Sequence, residues 1–287
     1  GAGARLADLR RAFAEAGQML ACDPPGERAT VGGIVAAADS GPLRHRYGAP
    51  RDLVLGVTVA LTDGTVARAG GRVIKNVAGY DLAKLFAGSL GTLGTLVELV
   101  LRLHPLPPAT ATAVGETDDP AALARAALAL ASAPLELESL DVRWAGGAGT
   151  LLARTGGVAA GPRAGQAAAL MGLDATVVED DETLWGAQRE AQRAPGGIVL
   201  RVAALPDALA DVVAVAERAG GSLVGRAGVG TSWLALPDVG ALDQVLRELP
   251  FPRAVVDGPA LREERDPALA RLESRVKARF DPAGTLP

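Results

Sequence analysis

Apolar residues at Leu6, Leu9, Phe13 and Ala16 recur at intervals of three and four. That period marks one face of a helix, and Gly17 supplies the left-handed residue that commonly follows a helix end. A helix is therefore expected over residues 5–17. Residues 21–52 lose this periodicity and carry Asp23-Pro24-Pro25-Gly26, Gly32-Gly33 and Gly41-Pro42, so they read as loops with one short helix near 32–38. Val54 to Leu61 is rich in β-branched residues, Asp63-Gly64 is a hairpin signal, and Val66 to Ala69 is the returning strand. A short helix at 82–86 stops at Gly88, and Leu96 to Leu103 reads as a strand. His104-Pro105-Leu106-Pro107-Pro108 can continue neither helix nor strand and is read as a domain boundary.

Beyond that boundary the texture changes. Strand-like runs at 110–116, 137–144, 150–154, 175–178, 198–202, 223–225, 231–236 and 254–256 alternate with helical runs at 120–131, 163–172, 182–193, 206–219 and 239–249. Strand and helix units recur without exact repetition. This suits an antiparallel sheet covered on one face by helices. A last helix is expected over 268–280. The fold class is α+β, with one domain at 1–108, an α+β cap at 109–267, and a C-terminal helix and tail at 268–287 that returns to the first domain.

Composition narrows the function. Net charge is −4, so the chain lacks the basic footprint of a nucleic-acid binder. The single cysteine, Cys22, excludes an internal disulfide framework and a thiol pair for redox work, and reads as a small buried hydrophobe. His45 and His104 are the only histidines, and no spaced carboxylate cluster stands out, so no metal site is expected. No apolar stretch has the length of a membrane span; the Ala-rich run 121–133 is broken by Arg125. No signal peptide is visible, and a cytoplasmic protein that reaches a membrane only through partners is expected.

Chemistry concentrates before His104. Four Gly-containing clusters lie there: Ala29-Thr30-Val31-Gly32-Gly33; Tyr47-Gly48 with Arg51-Asp52; Lys75-Asn76-Val77-Ala78-Gly79-Tyr80-Asp81-Leu82; and Gly88-Ser89-Leu90-Gly91-Thr92-Leu93-Gly94. Glycine permits positive φ and close approach of a ligand to backbone N–H groups. Any one cluster alone reads as ordinary turns in a chain with 36 glycines. No cluster is a Walker loop, and none has the spacing of a dinucleotide-binding GxGxxG.

Taken in order, with Gln18-Met19-Leu20, Pro24-Pro25 and Leu55-Gly56 between them, the clusters resemble the FAD-binding domain of vanillyl-alcohol-oxidase type. The Lys-Asn-Val-Ala-Gly-Tyr-Asp version is most similar to the FAD-binding subunits of bacterial glycolate oxidase (glycolate dehydrogenase). The likeness is dense over 1–108 and resumes at Phe280-Asp281-Pro282-Ala283-Gly284. It implies FAD as cofactor, with Pro25, Thr30, Gly32 and Gly33 on the loop reaching pyrophosphate and flavin. Gly41, Tyr47 and Gly48 would continue along the cofactor. Gly91, Gly94, Thr95 and Leu96 would approach its adenine half. Asp52 and Asp81 are expected to hold loops, and Tyr80 reads equally as packed aromatic or cofactor contact. Lys75 reads as solvated or as an offset to phosphate charge.

The same resemblance implies an N-terminal subdomain ahead of residue 1 and an Asn-Pro-Gly segment after residue 287, so the chain is read as truncated at both ends, with only part of the FAD cradle. Active relatives use histidines in the cap, whereas residues 109–267 contain none. Arg143, Arg154, Arg201 and Arg226 are carboxylate candidates, though each alone reads more readily as an exposed residue, and no catalytic residue is assigned. The implied function is flavin-dependent 2-hydroxy-acid oxidoreduction, as the FAD subunit of a glycolate-oxidising complex with a sister flavin subunit and an iron–sulfur subunit. The alternative is an assembly subunit that keeps the fold without FAD. The isolated chain is expected to be inactive.

Overall fold

The computed structural model describes residues 1–26, 28–73, 81–259 and 266–287. They fall into two compact units, one built from residues 1–106 and 262–287, the other from 107–261.

The first unit begins with α1 (Leu6–Glu15), which ends at Ala16 and turns at Gly17 with φ +66°. A two-residue strand β1 (Gln18–Met19) follows. After the Pro-rich loop, Thr30 caps α2 (Val31–Ala37), its hydroxyl accepting from Gly33 N–H. Two single-turn helices, α3 (Arg44–Tyr47) and α4 (Pro50–Leu53), occupy sequence that reads as loop, because each is too short to show a period. Then β2 (Val54–Ala60) and β3 (Val66–Gly70) form the expected hairpin, with Gly64 at φ +85° and Thr65 N–H bonded to the Asp63 carboxylate. After α5 (Ala83–Phe86), strand β4 (Thr95–Leu101) completes an antiparallel sheet in the order β3-β2-β4. The two units part at Leu106 and Pro107, inside the stretch read as a boundary, and His104–Pro105 at its start make a short strand β5 paired with β1. Pro105 is tolerated there because a two-residue pairing needs few donors.

The second unit carries, among the described residues, an eight-stranded sheet in which every pairing is antiparallel. In chain order its elements are β6 (Thr110–Thr117), α6 (Pro120–Ser132), β7 (Leu137–Ala145), β8 (Ala148–Gly156), α7 (Ala160–Met171), β9 (Asp174–Val178), α8 (Glu182–Glu190), β10 (Ile198–Ala203), α9 (Leu209–Arg218), β11 (Ser222–Arg226), β12 (Thr231–Leu236), α10 (Val239–Glu248) and β13 (Arg253–Asp257). Side chains alternate between faces along each strand. Leu140, Val142 and Trp144 of β7, Leu151 and Ala153 of β8 and Leu200 of β10 are buried against α6, α7, α9 and α10. Each such large side chain contributes about 2 kcal/mol by leaving water.

The opposite face is not bare, which corrects the expectation of one covered face. Trp185 and Gln188 of α8 reach Thr112 and Asp141, whose neighbours Ala113 and Val142 point into the main core. α8 therefore covers the polar side of the same sheet. Its length was legible but its partner was not, because Trp185 and Gln188 give it only a weak apolar stripe.

The final helix, α11 (Pro267–Phe280), belongs to the first unit. Val276 and Phe280 pack on the cluster of Val35, Val57, Val59 and Phe86 behind the β3-β2-β4 sheet. Phe280 meets Phe86 edge to face at 5.7 Å between ring centroids.

Candidate functional site

Two Gly-rich segments far apart in sequence meet at the C-terminal end of α2. Gly88 N–H donates to Val35 O at 2.9 Å and Leu90 N–H to Ala36 O at 2.8 Å. These bonds satisfy carbonyls that the short helix leaves open. They also hold the 88–94 turn beside the Thr30–Gly33 turn. The N-terminal residues complete the arrangement, since Gly32 N–H donates to Ala2 O and Ala2 N–H to Val97 O of β4.

The result is a surface cleft of about 390 Å³ within the first unit, lined by Ala2, Gly3, Thr30, Gly32, Gly33, Ala36, Gly91, Gly94, Thr95, Leu96, Leu286 and Pro287. It brings together Thr30, Gly32, Gly33, Gly91, Gly94, Thr95 and Leu96 from the residues singled out in the sequence. No lining side chain is charged. Its lining residues are glycines and alanines, the threonines Thr30 and Thr95, and the apolar Leu96, Leu286 and Pro287.

The glycines divide by what a side chain would meet. At Gly33 an added Cβ would come no nearer than 3.2 Å, to Thr30 Oγ1, and at Gly3 and Gly91 it would meet nothing within 4 Å. These positions leave backbone open to the cleft. At Gly32 a Cβ would lie 2.9 Å from Ala2, and at Gly94 2.6 Å from Val59 Cγ1, so these two are also required by packing.

The remaining candidates, Pro25, Gly41, Tyr47 and Gly48, do not line this cleft. Pro25 is buried in the loop before α2. Gly41 lies against Asp23, where a Cβ would sit 1.7 Å from the Asp23 carbonyl oxygen. Gly48, at φ +84°, ends α3 over Asp52, whose carboxylate accepts from Ala49 N–H. Tyr47 is stacked with His104 at 4.6 Å between centroids, tilted by 58°, with the Arg46 guanidinium 5.8 Å from its ring. Asp81 faces Lys84 at 3.5 Å. Lys75 and Tyr80 lie outside the described residues.

Sequence reasoning missed Ala2, Gly3, Ala36, Leu286 and Pro287 as cleft walls. The Gly-Ala-Gly-Ala start was the available signal, since a run of small residues lets another backbone come close. Nothing marked Leu286 and Pro287, which reach the cleft only through the docking of α11.

In the second unit, two of the four arginines are already engaged. Arg154 is bound by Asp181, and Arg226 by Asp141 with both side chains fully buried. Arg226 also lies 4.8 Å over the Trp233 ring. Arg143 is half-buried and Arg201 exposed, on the strand face shared with Trp233. Among the described residues, no group of three or more His, Cys, Asp or Glu side chains is placed to hold a metal. Nor is any helix long and apolar enough to cross a membrane.

Residues 1–70 match the FAD binding domain family. Over 110 residues, 38% of this chain, the sequence is 47% identical to glycolate oxidase subunit GlcE of Escherichia coli (strain K12), covering 31% of that protein. It is 38% identical over 138 residues, 47% of this chain and 29% of the relative, to glycolate oxidase subunit GlcD of Bacillus subtilis (strain 168). It is 35% identical over 141 residues, 49% of this chain and 24% of the relative, to the mitochondrial D-lactate dehydrogenase (cytochrome) 1 of Saccharomyces cerevisiae. These matches span about a third or less of the relatives' own lengths. Among solved structures, alkyldihydroxyacetonephosphate synthase aligns with a TM-score of 0.70 over 99% of this chain and 62% of its own, at 14% identity, a likeness of fold. The resemblance drawn from the Gly-rich clusters is thus borne out. The fold is α+β of the vanillyl-alcohol-oxidase type, and FAD is the cofactor that goes with the matched domain.

Proposed function

We propose that this chain is the FAD-binding part of a subunit that serves FAD-linked oxidation of a small 2-hydroxy acid, in a glycolate-oxidising complex. The observation that carries the reading is the uncharged cleft, which gathers Thr30, Gly33, Gly91 and Thr95 from clusters some sixty residues apart. Ala2, Gly3, Thr30, Gly32, Gly33 and Ala36 of its lining fall in residues 1–70, which match the FAD binding domain family.

The residues present suit part of such a cofactor. Gly3, Gly33 and Gly91 keep backbone accessible where a side chain would intrude, and Thr30 and Thr95 offer hydroxyls. Polar groups of the ligand would be held by backbone N–H and hydroxyl donors, without a lysine or arginine in the wall. Leu96, Ala36 and Leu286 supply apolar surface for an aromatic ring system. When bound, FAD supplies the hydride-accepting chemistry. The chain's own contribution is to bind and orient it, and to exclude water along the apolar walls.

The other requirements of the reaction are assigned to partners. In this reading a sister flavin subunit holds the 2-hydroxy acid, and an iron–sulfur subunit takes the electrons. This chain's one cysteine cannot ligate a cluster alone. The second unit has no histidine, and the engagement of Arg154 and Arg226 leaves Arg143 and Arg201 as its free-standing carboxylate candidates. The same observations favour a second reading, an assembly subunit that has kept the fold but not the flavin.

A visible-absorbance scan of purified protein separates the two, because bound flavin absorbs near 450 nm and an assembly subunit would be colourless (~450 nm from the flavin's general chemistry). A dye-reduction assay with glycolate and added FAD then tests activity, on the chain alone and mixed with its neighbouring subunits. Turnover only in the mixture supports the complex. Robust turnover by the isolated chain would overturn the division of labour, and no flavin uptake in any mixture would favour the assembly role.

A further inference from the structure

The wall formed by Leu286 and Pro287 is held in place by one partly exposed ion pair, in which Asp281 is buried and 29% of the Lys277 side chain meets solvent. Lys277, near the end of α11, directs its ammonium to four acceptors: Thr92 O at 3.0 Å, Asp281 Oδ2 at 2.8 Å, Leu286 O at 3.0 Å and Pro287 O at 3.1 Å. Asp281 is buried and gathers the tail from the other side. Its Oδ1 accepts from Thr285 N–H and Oγ1, and its Oδ2 from Leu286 N–H. Thr92 belongs to the same turn as Gly91 and Gly94 in the cleft, and its hydroxyl is bonded to Ser89 O. One ammonium thus joins α11, the 89–94 turn and the 285–287 wall.

A lysine so near a proposed dinucleotide cleft invites the role of phosphate partner, but its geometry argues otherwise. An ammonium has three donors. Here they are taken up by the Asp281 carboxylate and three backbone oxygens, and Lys277 does not line the cleft. Its charge is matched by Asp281. What it has to offer the cleft is position.

We propose that Lys277 and Asp281 are positioning residues for the cleft, a clamp that sets its width by fixing the 285–287 wall against the 89–94 turn. This rests on the reading that the cleft takes FAD. By linkage, whatever closes the wall must favour the ligand as much as the ligand favours closure. FAD should therefore slow amide exchange at Thr285 and Leu286, and loss of the clamp should weaken FAD.

The test compares the full chain with its Lys277→Met, Asp281→Asn and Thr285→Ala variants. Fold is checked by circular dichroism, FAD affinity by flavin fluorescence quenching at low and high salt, and the wall by hydrogen exchange at residues 285 and 286. The expected result is faster exchange in all three. FAD binding should fall by about tenfold or more in Lys277→Met and Asp281→Asn and less in Thr285→Ala, which keeps the ion pair; tenfold corresponds to about 1.4 kcal/mol. The salt dependence of binding should stay that of the wild type, because no charge contact with the ligand has been removed.

Binding within about twofold of wild type after the wall is released would overturn the proposal. So would a wall that stays protected in every variant, or an affinity loss accompanied by loss of salt dependence. A wild-type chain that binds no FAD while its tail is protected would instead sink the cofactor reading, a result distinguishable from the others.

Discussion

Arg154 and Asp181 meet in a two-pronged ion pair, Nε to Oδ2 at 3.1 Å and Nη2 to Oδ1 at 2.8 Å, and the carboxylate also accepts from the Thr110 and Thr112 hydroxyls. The pair is nearly out of water, with 2% of the Asp181 side chain exposed and 12% of Arg154. It fastens the start of α8 to β6 and β8, and Trp185 Nε1–H joins in through Thr112 Oγ1 at 2.8 Å. Arginine and carboxylate therefore serve architecture here. Asp181→Ala should destabilise the second unit by about 3 kcal/mol, since it leaves a nearly buried guanidinium with only the exposed Glu182 carboxylate, at 3.5 Å, for a counter-charge. The measurement is urea unfolding followed by tryptophan fluorescence, all three tryptophans being in this unit. A loss no larger than that from removing the exposed Asp8–Arg11 pair would show that the network carries no weight.

Two glycines separate packing from ligand access. Gly41→Ala puts a Cβ 1.7 Å from the Asp23 carbonyl oxygen, so the backbone must move, at a cost of about 3 kcal/mol or more. At Gly33, which lines the cleft, an added Cβ meets only Thr30 Oγ1, at 3.2 Å, so Gly33→Val presses on the cap hydroxyl but on no backbone. It should cost less stability than Gly41→Ala and lower flavin content per folded protein. Thermal unfolding and flavin-to-protein absorbance ratios on both variants check this. Unchanged flavin content in Gly33→Val would remove the cleft as the flavin site.

Cys22 is expected to be inert in the folded chain. Burial, helped by the nearby Asp23 carboxylate, pushes its thiol up to about 12. Cys22 is 6% exposed within the cluster of Leu6, Leu20, Val31 and Leu53. The thiolate is the reacting form. Iodoacetamide at pH 8 should therefore label Cys22 only after denaturant is added, as read by intact mass. Stoichiometric labelling of native protein would contradict the burial.

Most elements were legible because their signals are local. The Asp63-Gly64 turn fixed the β2–β3 hairpin, and the periods around Leu123, Val212 and Val245 fixed α6, α9 and α10. The cleft was legible only as a set of glycines. Their meeting depends on long-range bonds such as Leu90 N–H to Ala36 O, which no spacing in the sequence encodes. Gly41 and Gly33 look alike in sequence, and only the position of Asp23 tells them apart. Arg154 and Arg226 were indistinguishable from ligand-binding arginines because Asp181 and Asp141 lie 27 and 85 residues away. The clamp was not read from the sequence: Lys277 and Asp281 are one helical turn apart, but Thr92 is separated from Lys277 by 185 residues.

The two histidines should make the first unit sensitive to mild acid. Burial lowers the His45 pKa below the ordinary 6.5, and its Nδ1 is buried without a hydrogen-bond partner among the described residues. His104 is lowered by burial and then by the Arg102 and Arg46 charges, with its Nε2 similarly placed. In the unfolded chain both return to about 6.5. Between the folded and unfolded values the unfolded state binds more protons, so stability rises with pH there. The contribution is complete above about pH 6.5 and is lost as pH falls through the lower, folded values. Protonating His104 would also place a cation against Arg46 and Arg102. Urea midpoints followed by far-ultraviolet circular dichroism should therefore drop between pH 7.5 and 5.5 (about one unit either side of the free histidine value). The double variant His45→Gln, His104→Gln should lose much of that drop, while the tryptophan-detected transition of the second unit, which contains no histidine, should show the same pH dependence in both proteins. An unchanged drop in the double variant would assign the acid sensitivity to carboxylates instead.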